Sequence, residues 1–179
     1  TTSRSWRPAT RCDSTITPTM RVSPAATWRP MSAQTGIWFS GFLELLACEA
    51  SIIAPGQTFT VALTLSHHPG FHTYWKNPGT VGMPTHVEWE LPKGFQAGQL
   101  IWQSPERSKM FKYDVYGYEK NATLLTEIKV PAKLDEKPIL LRAKVRWMAC
   151  NDSSCNPGYH TFDLKLPVGE RTVWKPKVK

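Results

Sequence analysis

Cys150 and Cys155 are the two residues of this chain best placed to do chemistry. Two thiols separated by four residues can close a disulfide, exchange it with another thiol, or share a soft metal. They follow Val145-Arg146-Trp147-Met148-Ala149, an alternating segment that reads as a strand. Between them lie Asn151-Asp152-Ser153-Ser154, all turn formers. Pro157-Gly158 and a further strand-like segment come next. The sulfurs are therefore expected at the base of a tight connection between neighbouring strands. Facing residues there have Cα atoms roughly 4.5–5.5 Å apart, within reach of a disulfide.

Three uses of the pair can be weighed. A structural staple would close a loop of about six residues, worth only ~2 kcal/mol on the chain-entropy model. Staples gain most when they join distant segments. A polar, exposed turn also leaves the sulfurs open to attack by another thiolate. On chemistry alone the staple and the redox couple stand level. A metal site could recruit His160, His72 or His86, but a tetrahedral site normally wants a second ligand pair, and no second Cys pair exists. Neither a metal nor any other cofactor is expected. Cys48, in the apolar stretch Leu45-Leu46-Ala47-Cys48, reads as a core filler, and Cys12 has no supporting context.

The elements that must position the pair read as β-structure. The 179 residues suffice for one domain with a real core, and 15 Pro with 11 Gly cut the chain into short segments. Leu43 to Ala50 is a first candidate strand. Thr58 to Leu65 alternates Thr with apolar residues. Thr85 to Leu91 places Val87, Trp89 and Leu91 on one face. Leu100-Ile101-Trp102 is a short candidate, and Thr123 to Val130 alternates weakly. Ile139 to Met148 puts Leu141, Ala143, Val145 and Trp147 on one face and Arg142, Lys144 and Arg146 on the other. His160 to Leu166 closes the series with Phe162, Leu164 and Leu166. Seven or eight short strands without a helix-period run predict an all-β, antiparallel β-sandwich.

Charge and composition divide the chain. Residues 1–42 hold five Arg, no Lys and one acid, Asp13, so they carry half of the net +8. They are rich in Thr, Ser and Pro and show no strand or helix periodicity, which predicts a disordered or non-native leader. Residues 43–168 are expected to be the domain and 169–179 a basic tail. The basic residues after 42 are dispersed, which favours a solvated mixed surface over a nucleic-acid partner. No segment supplies the ~20 apolar residues of a membrane span.

Several separated motifs occur in order: Gly70-Phe71-His72-Thr73-Tyr74-Trp75-Lys76-Asn77-Pro78-Gly79, Gly82-Met83-Pro84-Thr85, Trp89-Glu90-Leu91-Pro92, Trp102 with Pro105-Glu106-Arg107, Tyr116-Gly117-Tyr118-Glu119, and Trp147-Met148-Ala149-Cys150 through Cys155-Asn156-Pro157. Together they resemble the amino-terminal periplasmic domain of DsbD-like thiol:disulfide interchange proteins. The copper-sensitivity-suppressor branch is the most similar. The resemblance covers about residues 43–168 and implies an immunoglobulin-like sandwich. It implies a periplasmic protein-disulfide reductase component that relays reducing equivalents from a membrane-anchored thioredoxin-like donor to thioredoxin-fold and cytochrome-maturation partners. It also implies that Cys155 forms the mixed disulfide and Cys150 resolves it. A cap loop, Asp114-Val115-Tyr116-Gly117, is implied as well, with Tyr116 shielding the sulfurs. Val115 stands where the best-known members carry an aromatic residue, so a looser cap is expected. The chain is expected to be a piece of a larger membrane-attached protein, a stand-alone relative or a truncated product. The competing expectation is a non-redox β-sandwich module, copper-binding or adhesive, with a structural Cys150–Cys155 bond.

Other residues have plainer readings. His72, near Tyr74 and Trp75, could tune a thiolate, but a hydrogen-bonded histidine in an aromatic core is favoured. Trp75, Trp89, Trp102 and Trp147 could stack sugars, but core packing is favoured. Asp114 could influence a thiol, or simply be a solvated turn residue.

Overall fold

The computed structural model describes residues 34–35, 42–110, 112–134 and 138–175. Among them there is no helix. The strands are β1 (Gln34–Thr35), β2 (Phe42–Cys48), β3 (Ala50–Ile52), β4 (Thr58–His67), β5 (His72–Gly79), β6 (His86–Glu90), β7 (Gln96–Ala97), β8 (Glu106–Met110), β9 (Tyr113–Tyr118), β10 (Ala122–Lys129), β11 (Ile139–Cys150), β12 (Cys155–Leu166) and β13 (Val173–Trp174). One sheet runs β1-β2-β4-β10-β7. The other runs β12-β11-β5-β9-β8, with β6 also paired to β11. Every ladder between these strands is antiparallel. The fold is the expected immunoglobulin-like β-sandwich.

The alternation that predicts the strands also builds the core. Phe59, Val61, Leu63 and Leu65 of β4 are buried with Leu124 and Ile128 of β10. Across the sandwich they meet Leu141, Ala143, Val145 and Trp147 of β11 and Phe162, Leu164 and Leu166 of β12. The four tryptophans weighed as sugar platforms belong to this core: Trp147 is buried in it, and Trp75, Trp89 and Trp102 pack against it. Cys48, 4% exposed, fills core space as expected.

Arg142 and Lys144 point to the outer face of β11, where their cross-strand neighbours are acidic. Arg142 Nε lies 2.6 Å from Asp163 of β12, and Lys144 pairs with Glu90 of β6. These groups are solvated, so they fix register more than they add stability.

Three expectations change. Leu100-Ile101-Trp102 does not make a strand; Ile101 contributes a single bridge to Leu125. Pro157-Gly158 does not precede the last expected strand but lies inside it, since β12 begins at Cys155, and it stands opposite Met148 and Trp147. The β8–β9 hairpin has no counterpart among the expected strands. It carries little apolar signal, because β8 reads Glu106-Arg107-Ser108-Lys109-Met110. The leader reading of 1–42 lies outside the described residues, apart from Phe42 and from Gln34–Thr35, which pair with Leu46 and Leu45. Of the residues read as a tail, Val173 and Trp174 pair with β3, and Ser51 Oγ donates to the Val173 carbonyl at 3.0 Å.

Candidate functional site

The site sits at the far end of β11. Register carries Cys150 to face Cys155 at the mouth of the β11–β12 hairpin, with their Cα atoms 4.1 Å apart. The two sulfurs are joined in a disulfide. The four-residue turn is organised by Asn151. Its Oδ1 accepts from the backbone N–H groups of Ser153 (2.9 Å) and Ser154 (2.8 Å), and its own N–H donates to the Ser154 carbonyl at 2.9 Å. An Asx-type turn of this kind closes the hairpin without help from the disulfide.

Alternation decides which face the pair occupies. Ala149 belongs to the sandwich core, so Cys150 points to the opposite, outer face of the sheet. An outward residue near a strand end would ordinarily be wet. Here it is not: Cys150 is 0% exposed, because a second apolar cluster covers it. That cluster is Cys150 with Tyr74 of β5, Met110 of β8 and Val115 of β9, and Val81 and Met148 pack against it. Cys155, in contrast, is exposed. One sulfur-bearing residue is therefore sealed and its partner is open to a visitor.

The four residues expected as a cap loop are the middle of strand β9, held by β8 on one side and β5 on the other. Val115 is fully buried in the cluster around Cys150. Tyr116 is 41% exposed and is not a member of that cluster. It lines a separate shallow cavity of about 450 Å³ with Trp75, Asn77, Pro78, Gly79 and Pro105. The residue standing for an aromatic thus shares the cluster with Cys150, and the tyrosine beside it lies on the opposite face of β9, near Trp75. Asp114 bonds to Arg107 at 2.8 Å across the hairpin and lies 3.6 Å from Lys109. The Arg107 hydrogen bond holds the Asp114 carboxyl below its ordinary range. Asp114 is thus tied to its own hairpin. Gly117 faces Tyr74 across the β5–β9 ladder.

His72 was favoured as a core histidine, and it is 6% exposed with Nε2 3.2 Å from the Tyr74 hydroxyl. It is also the cross-strand partner of Cys150. Spacing in the sequence gave no sign of this, because the two lie 78 residues apart. Burial lowers the His72 pKa, with opposing contributions from Glu119 and Asp152, so the ring is neutral at neutral pH. Nearby, His67 is pushed down to about 4, chiefly by burial, and its Nε2 lies 3.0 Å from Thr73 Oγ1. Among the described residues no group of three or more His, Cys, Asp or Glu side chains is arranged to hold a metal ion.

These histidines predict an acid sensitivity. A histidine kept neutral by burial is protonated in the unfolded chain near 6.5, while the folded one resists until about 4. The unfolded state then binds more protons, and stability falls as pH drops through that window. For His67 alone the loss should approach about 3 kcal/mol, with smaller losses of the same sign from His72 and His160, both lowered by burial. Urea unfolding at pH 7, 6, 5 and 4.5 should show the decline, and His67→Gln should flatten it. The ion-paired carboxylates of Asp114, Asp163 and Glu90 are held low and weaken the fold only at still lower pH. A stability curve level down to pH 4.5 would contradict the assignment.

The molecule is an immunoglobulin-like sandwich with a disulfide at the end of one sheet, one of its cysteines buried and the other exposed. The family model for the amino-terminal part of the thiol:disulfide interchange protein DsbD matches residues 44–167, and the chain belongs to that family. Membership and the disulfide-forming pair together support thiol:disulfide interchange as its general chemistry. Among solved structures, the N-terminal periplasmic domain of ScsB from Proteus mirabilis is similar at 19% identity and a TM-score of 0.57, over 75% of this chain and 50% of that one. The chain thus spans about half the length of that structure. The reduced DsbD N-terminal domain of Neisseria meningitidis matches at 15% identity and a TM-score of 0.42, over 73% of this chain and 90% of that one. Among curated protein sequences no significant match is found.

Proposed function

We propose that this domain is a periplasmic thiol:disulfide interchange module that passes reducing equivalents from a membrane-anchored thioredoxin-like donor to thioredoxin-fold acceptors. The observation that carries this reading is the unequal exposure of one disulfide: Cys155 exposed, Cys150 fully buried. In the reduced form, the Cys155 thiolate attacks an acceptor disulfide and forms a mixed disulfide. Cys150 then attacks Cys155 Sγ, the acceptor leaves as a dithiol, and the Cys150–Cys155 bond is restored. Two electrons move from the pair to the acceptor. The cover of Val115, Tyr74 and Met110 keeps small oxidants and stray thiols away from Cys150, so exchange favours a docked protein. The cap is the segment Asp114, Val115, Tyr116 and Gly117, with Val115 over the buried cysteine and Tyr116 on the opposite face of β9.

The reading predicts a reduction potential. Structural bridges in secreted proteins lie below about −300 mV, whereas catalytic ones are more oxidising. Titration of the pair in glutathione or dithiothreitol buffers, followed by thiol alkylation, should place it above about −300 mV. A lower value, with unfolding on reduction, would return the pair to the role of a staple.

A further inference from the structure

We propose that His72 is the proton acceptor for the Cys150 thiol in the resolving step. This rests on the exchange reading above and goes beyond it by naming a third participant. Resolution requires Cys150 to lose its proton before its sulfur can attack. Cys150 is 0% exposed, so bulk water cannot take that proton directly. Its environment is apolar: Tyr74, Met110, Val115, Val81 and Met148. His72 is its direct neighbour across the β5–β11 ladder, and directly opposed residues project from the same face of a sheet. The ring is held in place by its contact with the Tyr74 hydroxyl, and Tyr74 itself packs in the cluster with Cys150. When Nε2–H donates to the Tyr74 oxygen, Nδ1 is left as the basic nitrogen.

The charged and titratable groups that act on His72 come from three other elements. Glu119 follows β9, Asp152 sits in the β11–β12 turn, and His67 ends β4. Glu119 and Asp152 are exposed carboxylates, and Glu119 already accepts from Ser108 Oγ. They stabilise the imidazolium once it forms. The step balances: the Cys150 S–H proton passes to the His72 ring, the Cys150–Cys155 bond forms, and the bond from Cys155 to the partner sulfur breaks. The departing thiolate takes the electron pair, and His72 returns its proton to water as the site opens.

The probe is 5,5′-dithiobis(2-nitrobenzoate), added to the fully reduced protein in a stopped flow. The first coloured thiolate released reports attack by Cys155, and the second reports resolution by Cys150. His72→Gln, which preserves a hydrogen-bonding side chain beside Tyr74, should slow the second phase about tenfold or more at pH 7. The first phase should stay within about twofold, and the second-phase deficit should shrink towards pH 9 as hydroxide, reaching Cys150 when the site opens, replaces the base. An unchanged second phase, or an equal deficit at every pH, overturns the proposal. The unmodified protein provides an independent reading should the variant fold poorly. Its second phase should be nearly level between pH 8 and 6.5, and a fall of about tenfold per pH unit there also overturns the proposal. If the unmodified protein releases no second thiolate at all, it is the exchange reading that fails instead.

Discussion

Cys150→Ala protein, reduced and mixed with a thioredoxin-fold protein whose single remaining active-site cysteine carries a thionitrobenzoate leaving group, should accumulate a stable mixed disulfide through Cys155, while Cys155→Ala should accumulate none. The argument is steric before it is electronic. Exchange requires the incoming disulfide to reach the attacking sulfur, and the two cysteines differ in access. Cys155 is exposed at the start of β12, beside a polar turn. Cys150 is sealed under Tyr74, Met110 and Val115. With Cys155 alone, the mixed disulfide forms and no neighbouring thiol displaces the partner. With Cys150 alone, the sulfur has no path to a protein disulfide until β9 moves. Each variant should lose turnover by at least on the order of a hundredfold, as when a covalent nucleophile is removed. The variants differ in the intermediate they leave behind, which non-reducing electrophoresis and mass spectrometry read directly. Neither should unfold, since the six-residue loop contributes only ~2 kcal/mol and Asn151 holds the turn independently. Equal trapping by both variants, or trapping through Cys150 alone, would sink the assignment of roles.

Much of this site could be read from residues near each other in the chain. The alternation from Ile139 to Met148 gives β11 and its inward face, and the turn formers at 151–154 give the hairpin that brings Cys150 against Cys155. The resemblance motifs supply the family. Three features escaped because they depend on partners distant in sequence. The burial of Cys150 needs Tyr74, Val115 and Met110, from three other strands, on the outer face where alternation predicts water. The closeness of His72 to Cys150 exists only in the register between β5 and β11. Pro157-Gly158 stands ahead of the expected strand His160 to Leu166, but it lies inside β12 and the glycine serves packing. A Cβ there would fall well inside 3.0 Å of the Trp147 ring, which lies across it. The β8–β9 hairpin escaped for a related reason: the side it turns to the Cys150 cluster is mostly Ser108, Met110, Val115 and Gly117, too weak an apolar pattern to signal strands.

Gly117→Ala should be a severely damaging single-methyl change near the site, costing about 3 kcal/mol or more. A Cβ at Gly117 would lie well inside 3.0 Å of the Thr73 carbonyl oxygen, and 3.3 Å from Tyr74 Cα. Both obstacles are backbone, so no rotamer change relieves them. The strand β9 must instead move away from β5, and the ladder at Thr73↔Tyr118 and Tyr74↔Gly117 must loosen. At Gly158 the obstacle is the Trp147 side chain, which has torsions available, so Gly158→Ala should cost less. Gly98→Ala, whose Cβ would meet the Glu127 carbonyl oxygen at 3.4 Å, is the mild control. The same displacement carries a functional signature. Val115 and Tyr74, two of the covers over Cys150, are the near neighbours of Gly117 along β9 and across the ladder. Gly117→Ala should therefore lower the urea midpoint and also speed reduction of the Cys150–Cys155 bond by dithiothreitol under conditions where the protein remains folded. Lower stability with unchanged reduction kinetics would show that the bond is attacked without any movement of β9, and that the cover over Cys150 is not what limits access to the pair.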